Sequence, residues 1–180
     1  GMKANDSEVR RGSYPGPFTD FIEKCSKDET FVALCPMSED RVKRHERFEF
    51  VLRFFAYLNN YENFGHTVNE FLDEYLINNL VDFDEDTFYA DFQRMVSFVK
   101  ENFPFGFAKT EKAKATPRVR FEAISVGIAL ALREKPDLRI SSVDWLDSDE
   151  FKEYTTSDAS NNEGKLKLRV EYVRDQLLKG

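Results

Sequence analysis

The segment Phe48–Leu58 constrains the fold more than any other part of this 180-residue chain. Phe48, Phe50, Val51, Leu52, Phe54, Phe55, Ala56, Tyr57 and Leu58 are apolar, and only Glu49 and Arg53 interrupt them. Wound into a helix, such a segment is apolar on almost every face, so other elements must surround it. Ser38 reads as a helix cap with Glu39 and Asp40 in the first turn. The pattern predicts one helix from there to about Asn59, roughly 30 Å long at ~1.5 Å per residue. Glu49 and Arg53 stand at i,i+4 in the favoured order for an ion pair. A buried Arg needs a partner, and Glu49 is the nearest one along the chain.

The rest of the sequence supplies elements to pack around that helix. Tyr14-Pro15-Gly16-Pro17 reads as a rigid turn with Pro17 opening a helix, and Phe18, Phe21, Ile22 and Cys25 follow at helical spacing. Glu29–Leu34 reads as a short helix ending before Pro36. Thr67-Val68-Asn69-Glu70 has the form of a capping box ahead of Phe71, Leu72, Tyr75 and Leu76. Asp84 or Asp86 starts a helix that carries Phe88, Phe92, Met95, Val96 and Val99 and ends at Pro104-Phe105-Gly106. Thr116-Pro117 reads as a cap followed by Pro at the first helical position. Residues 119–132 alternate like a strand but also place Phe121, Ile124, Ile128 and Leu132 at helical spacing. Their length, their alanines and the cap before them favour the helix. Ala123, Gly127 and Ala131 then form a small-residue stripe that another helix can approach closely. Residues 165–172 carry the same ambiguity, and Leu166, Val170, Val173 and Leu177 favour a helix there too. A short helix is expected over Trp145–Tyr154, with a loop over 155–162. The fold class read from these patterns is all-α, with about seven helices packed around two central hydrophobic ones, Phe48–Leu58 and Phe121–Leu132. Residues 1–13 read as a flexible N-terminal segment, with Gly1 a remnant of tag removal, and residues 14–180 as a single helical domain.

Composition removes several classes. Eighteen phenylalanines argue against disorder. No uncharged apolar run approaches the ~18 residues of a membrane span, and no signal peptide opens the chain, so a cytoplasmic protein is expected. Cys25 and Cys35 read as reduced, buried thiols. A zinc site would need both to converge with His45 and His66, and neither pair has finger spacing. No cofactor is implied. Asp82-Phe83-Asp84-Glu85-Asp86 starts like a calcium loop, but Thr87 and Gln93 stand where the loop needs Gly and Glu. Asp137, Glu163 and Lys165 spell the outline of a metal-dependent nuclease motif at a predicted helix start, where its hairpin geometry is not expected.

Basic residues cluster three times: Arg41, Lys43, Arg44, His45 and Arg47; Lys109, Lys112, Lys114, Arg118 and Arg120; and Lys165, Lys167 and Arg169. Against a net charge of −7 these are local patches at most. Arg41, Lys43, Arg44, Arg47, Lys112, Lys114, Arg118 and Arg120 are the residues of a nucleic-acid-binding alternative. Arg10 and Arg11, near Gly12 and Gly16, could hold a phosphate. The plain alternative is a solvated N-terminal segment docked by Tyr14 and Phe18.

Three stretches together resemble one family. They are Glu8–Phe18; Arg47–Ala56 with Tyr61 and Thr67–Leu72; and Arg120–Gly127. In order and spacing they resemble the helical half of the N-terminal domain of GmrSD-type restriction proteins. The likeness extends over most of residues 8–178. That family also carries a ParB/sulfiredoxin-like portion with an Asp-Gly-Gln-Gln-Arg motif, and often a His-Asn-His nuclease domain. Neither is in this sequence. The resemblance therefore implies a non-catalytic helical interaction or regulatory module of a phage-defence protein, either a fragment or a shortened relative. Its expected partner is the hydrolase or nuclease portion of the same system, with DNA contact and self-association both compatible. Arg10 lies in a recurring motif of the family, and Arg53 is expected either in a structural pair or at the interface with the hydrolase portion. Arg10, Arg11, Tyr14, Gly16, Glu49 and Arg53 are the candidate binding residues.

Overall fold

The computed structural model describes residues 3–65, 67–156 and 163–180, with Glu163 described by its backbone alone. Among the described residues the fold is all-helical, with ten α-helices and no strand. In chain order they are α1 (Asp6–Ser13), α2 (Pro17–Ser26), α3 (Glu29–Leu34), α4 (Glu39–Lys43), α5 (Glu46–Asn60), α6 (Val68–Asn79), α7 (Glu85–Asn102), α8 (Arg118–Glu134), α9 (Asp149–Tyr154) and α10 (Glu163–Leu178). Short 3₁₀ turns cover Tyr61–Asn63 and Asp144–Asp147. No helix of the described chain is long and apolar enough to cross a membrane. Gly1, Met2, His66 and residues 157–162 of the expected loop lie outside the described residues, and the zinc reading, which needs His66, lies there with them.

Every residue from Phe48 to Leu58 is buried, Glu49 and Arg53 included. α5 packs against α2, α6 and α8, and α8 packs against α7 and α10 as well. The ambiguous 119–132 segment is helical, and so is 165–172. The small-residue stripe does what its spacing implies. Ala123 and Ala131 are fully buried, and a Cβ on Gly127 would stand 2.4 Å from the Val173 Cβ and 3.0 Å from the Val170 carbonyl oxygen of α10. Opposite it, Leu166, Val170, Val173 and Leu177 fill the α8–α10 seam. The phenylalanines connect the layers: Phe50 stacks on Phe121 at 4.8 Å, and Phe121 meets Phe107 edge-on at 4.9 Å.

Three expectations are corrected. Residues 6–13 form a helix rather than a loose segment, with a capping box in which Asn5 accepts from the Glu8 amide and Glu8 accepts from the Asn5 amide. The long helix from Ser38 is two. It breaks at His45, whose φ of 57° is left-handed. α4 buries no residue, so the core does not hold it in line with α5. The break lets Arg41 reach both Glu46 and the Thr116 carbonyl. Thr116 does not cap α8; its hydroxyl donates to the Pro36 carbonyl at 2.9 Å, and Pro117 is the cap residue. With α1 added and the long helix split into α4 and α5, the count among the described residues is ten against the about seven expected.

Cys25 and Cys35 are free and buried. Burial pushes their thiols up, to about 12 and about 11 respectively. A free thiol ionises near ~8.5, so the unfolded chain loses these protons first. Their contribution to stability is present below that value and is lost as pH rises toward 11 or 12. At pH 8 neither thiol is expected to react with a disulfide reagent in the folded protein, and both should react together on addition of denaturant.

Candidate functional site

Four charged residues of the resembling stretches, Arg10, Glu49, Arg53 and Glu122, meet in one buried network. Arg10, from α1, is 2 % exposed. Its Nη1 donates to both oxygens of Glu49 at 2.9 and 3.0 Å. Its Nε donates to Asp73 at 2.8 Å, and its Nη2 to Asn69 at 2.7 Å. All three guanidinium nitrogens are thus used, in the flat, forked geometry that suits arginine. Asn69 in turn donates to Asp6 at 2.7 Å, closing α1 onto α6.

Glu49 links this socket to a second one. Arg53 lies one turn further along α5, its Nε 3.4 Å from a Glu49 oxygen. The i,i+4 pair is present, yet it is not Arg53's main bond. Its Nη1 donates at 2.9 Å to Glu122 on α8, a residue with no exposure at all. The other oxygen of Glu122 accepts from Arg169 of α10 at 2.9 Å. Arg118 approaches the same carboxylate at 3.5 Å from one turn earlier on α8. Burial works against the charge on Arg53, but Glu122, Tyr57 and Glu49 outweigh it and hold its pKa above the ordinary value. The adjacent Tyr57 phenol is pushed up, first by burial and then by Glu122.

A shallow cleft of about 280 Å³ opens over the network, lined by Asp6, Glu46, Glu49, Arg53, Asn69 and Arg118 among others. The Nε atoms of Arg53 and Arg118 are buried there without a hydrogen-bond acceptor. The cleft floor is therefore polar and charged. The two buried carboxylates of the network, Glu49 and Glu122, are each approached by at least two guanidinium groups.

The other candidates separate. Arg11 holds Glu23 with two hydrogen bonds of 2.8 and 3.1 Å, and Glu23's carboxyl is lowered chiefly by that contact. Tyr14 is half-buried, and its carbonyl accepts from the Thr19 hydroxyl. Gly16 serves packing: a Cβ there would stand 2.9 Å from the Leu80 side chain. Arg10 and Arg11 thus each hold an internal carboxylate.

The arginines of the basic clusters also turn inward, whereas the lysines stay exposed. Arg47 donates to the Cys35 carbonyl at 3.1 and 2.8 Å. Arg120 is buried and donates to the Phe107 and Ala108 carbonyls; burial lowers its pKa. Arg44 lies 3.7 Å from Glu8. Lys43, Lys112 and Lys114 remain exposed. The calcium-like acids start α7, with Asp84 accepting from the Thr87 amide. Among the described residues no group of three or more His, Cys, Asp or Glu is placed to hold a metal ion. The nuclease outline cannot be assembled from them, since the Glu163 side chain lies outside the described residues.

Sequence reasoning missed Asp73, named Asn69 only as part of a capping box, quoted Glu122 only within a resembling stretch, and counted Arg169 as surface charge. One signal was available. Glu122 is the only acid between Val119 and Leu132, inside an apolar helix, and it needs a cation from another element. Comparison with protein-family models, curated proteins and solved structures finds no match.

Proposed function

We propose that this chain is a non-catalytic helical interaction and regulatory module of a restriction-type phage-defence protein, working with a hydrolase or nuclease portion of the same system. The observation that carries the reading is the connection Arg10–Glu49–Arg53–Glu122, which runs through all three stretches of the family resemblance. Residues 10, 49 and 122 are far apart in sequence, and each comes from a different stretch. Packing around the Phe48–Leu58 and Phe121–Leu132 segments belongs to the same reading: the two helices present the network between them. Carboxylates held by arginines suit a module that positions and transmits rather than one that transfers protons. The cleft over Glu49 and Arg53 is the surface on which a partner would sense or set the position of α1.

The test is an assay of the purified chain with nucleoside triphosphates and with duplex DNA, both in the presence of magnesium, followed by co-purification with the hydrolase and nuclease components of such a system. The expected result is no turnover by the chain alone and a stable complex with one component. Hydrolysis or cleavage that a single substitution abolishes would overturn the reading. The nucleic-acid alternative now rests on Lys43, Lys112 and Lys114. It requires DNA retardation at low salt that weakens steeply as salt rises.

A further inference from the structure

Helix α1 is attached in an unusual way. Its one large apolar residue, Val9, is 52 % exposed. No apolar side chain of α1 belongs to the core. What holds the helix is charge and hydrogen bonding: Arg10 to Glu49, Asp73 and Asn69, Asp6 to Asn69, Arg11 to Glu23, and Glu8 beside Arg44. The guanidinium of Arg11 also lies over the Phe48 ring at 5.9 Å. Its own capping box satisfies first-turn backbone amides from within the segment.

The socket that receives Arg10 is built without α1. Glu49 stands on α5, and Asn69 and Asp73 stand one turn apart on α6. Both helices are anchored in the core by other residues, among them Phe48, Leu52, Leu72 and Leu76. Glu49 has a counter-charge besides Arg10, since Arg53 lies 3.4 Å from it. Three acceptors converge from three sides on the space of one planar guanidinium. A compact ammonium cannot meet all three at once.

We propose that Glu49, Asn69 and Asp73 form a receptor for an arginine side chain, that α1 is its intramolecular ligand, and that an arginine from another chain can take the place of Arg10. The cleft of about 280 Å³ beside Asp6, Asn69 and Glu49 is the approach. The inference concerns the ligand class alone, and its failure would leave the defence-module reading standing.

The test uses the 180-residue chain. In Arg10→Ala, millimolar methylguanidinium is expected to raise the melting temperature and methylammonium to leave it unchanged. A peptide of residues 3–13 should bind the same variant, and its Arg10→Lys form should bind at least about tenfold more weakly. Adding Asp73→Asn to the variant should remove both effects. Equal responses to the two ions, or no response to either, would overturn the proposal. Should Arg10→Ala not fold, hydrogen exchange of the wild-type chain decides. The amides of residues 9–13 should open independently of α5 and α8, and faster at about 0.5 M than at about 0.05 M NaCl. Exchange of α1 only together with the core would overturn the proposal.

Discussion

Replacing Glu122 by glutamine is expected to destabilise the fold by about 3–5 kcal/mol, the range for breaking a buried ion pair by removing one partner. Glu122 has no solvent exposure, and both of its oxygens are used, one by Arg53 and one by Arg169. Glutamine keeps the shape and one acceptor but withdraws the charge from two buried guanidinium groups. It also presents an NH₂ to one of two cations that need an acceptor. For a domain of this size each kcal/mol moves the melting temperature by roughly 2–4 °C, so a fall of about 10 °C is expected. Urea unfolding should show a lower midpoint with an unchanged slope. A fall of less than about 1 kcal/mol would mean that Arg53 and Arg169 do not depend on this carboxylate.

The second large effect is expected at Gly127. Valine there is expected to cost about 3 kcal/mol, at the upper end of the range for overpacking. Taken alone, Gly to Val improves helix propensity by a few tenths of a kcal/mol, so propensity predicts the opposite sign. Packing decides it. The new Cβ would lie 2.4 Å from the Val173 Cβ and 3.0 Å from the Val170 carbonyl oxygen. The Val173 Cβ is bonded directly to the backbone, so no rotamer change can move it away. α10 would have to back off from α8, opening the Leu166–Leu177 seam and lengthening the Arg169–Glu122 contact. Thermal unfolding of Gly127→Val measures this, and a stability at or above wild type would contradict the close packing of α8 on α10.

Much of the fold was legible because its signals are local. The apolar run of α5, the caps at Ser38 and Thr67, and the Ala123–Gly127–Ala131 stripe each depend on residues a few positions apart. α1 was not legible. Hydrophobic periodicity cannot register a helix whose only large apolar residue is Val9, and what holds this helix lies 39, 59 and 63 residues away. The break at His45 carries no Gly or Pro to announce it. The site was half-legible for the same reason. The Glu49–Arg53 pair shows at i,i+4, but Arg53's shorter bond goes to Glu122, 69 residues on. The basic clusters misled because linear density counts cations without showing where they donate. Arg47 and Arg120 serve carbonyls inside the fold.

The central claim is that one buried charge network joins the three stretches, and a double-mutant cycle on Arg53 and Glu122 tests it most directly. Arg53→Met, Glu122→Met and the double variant would be unfolded in urea beside the wild type. If the network joins α5 to α8 through this pair, the double variant should lose about 1–3 kcal/mol less than the two single losses added together. Losses that add to within about 0.5 kcal/mol would contradict it, because two independent sites behave that way.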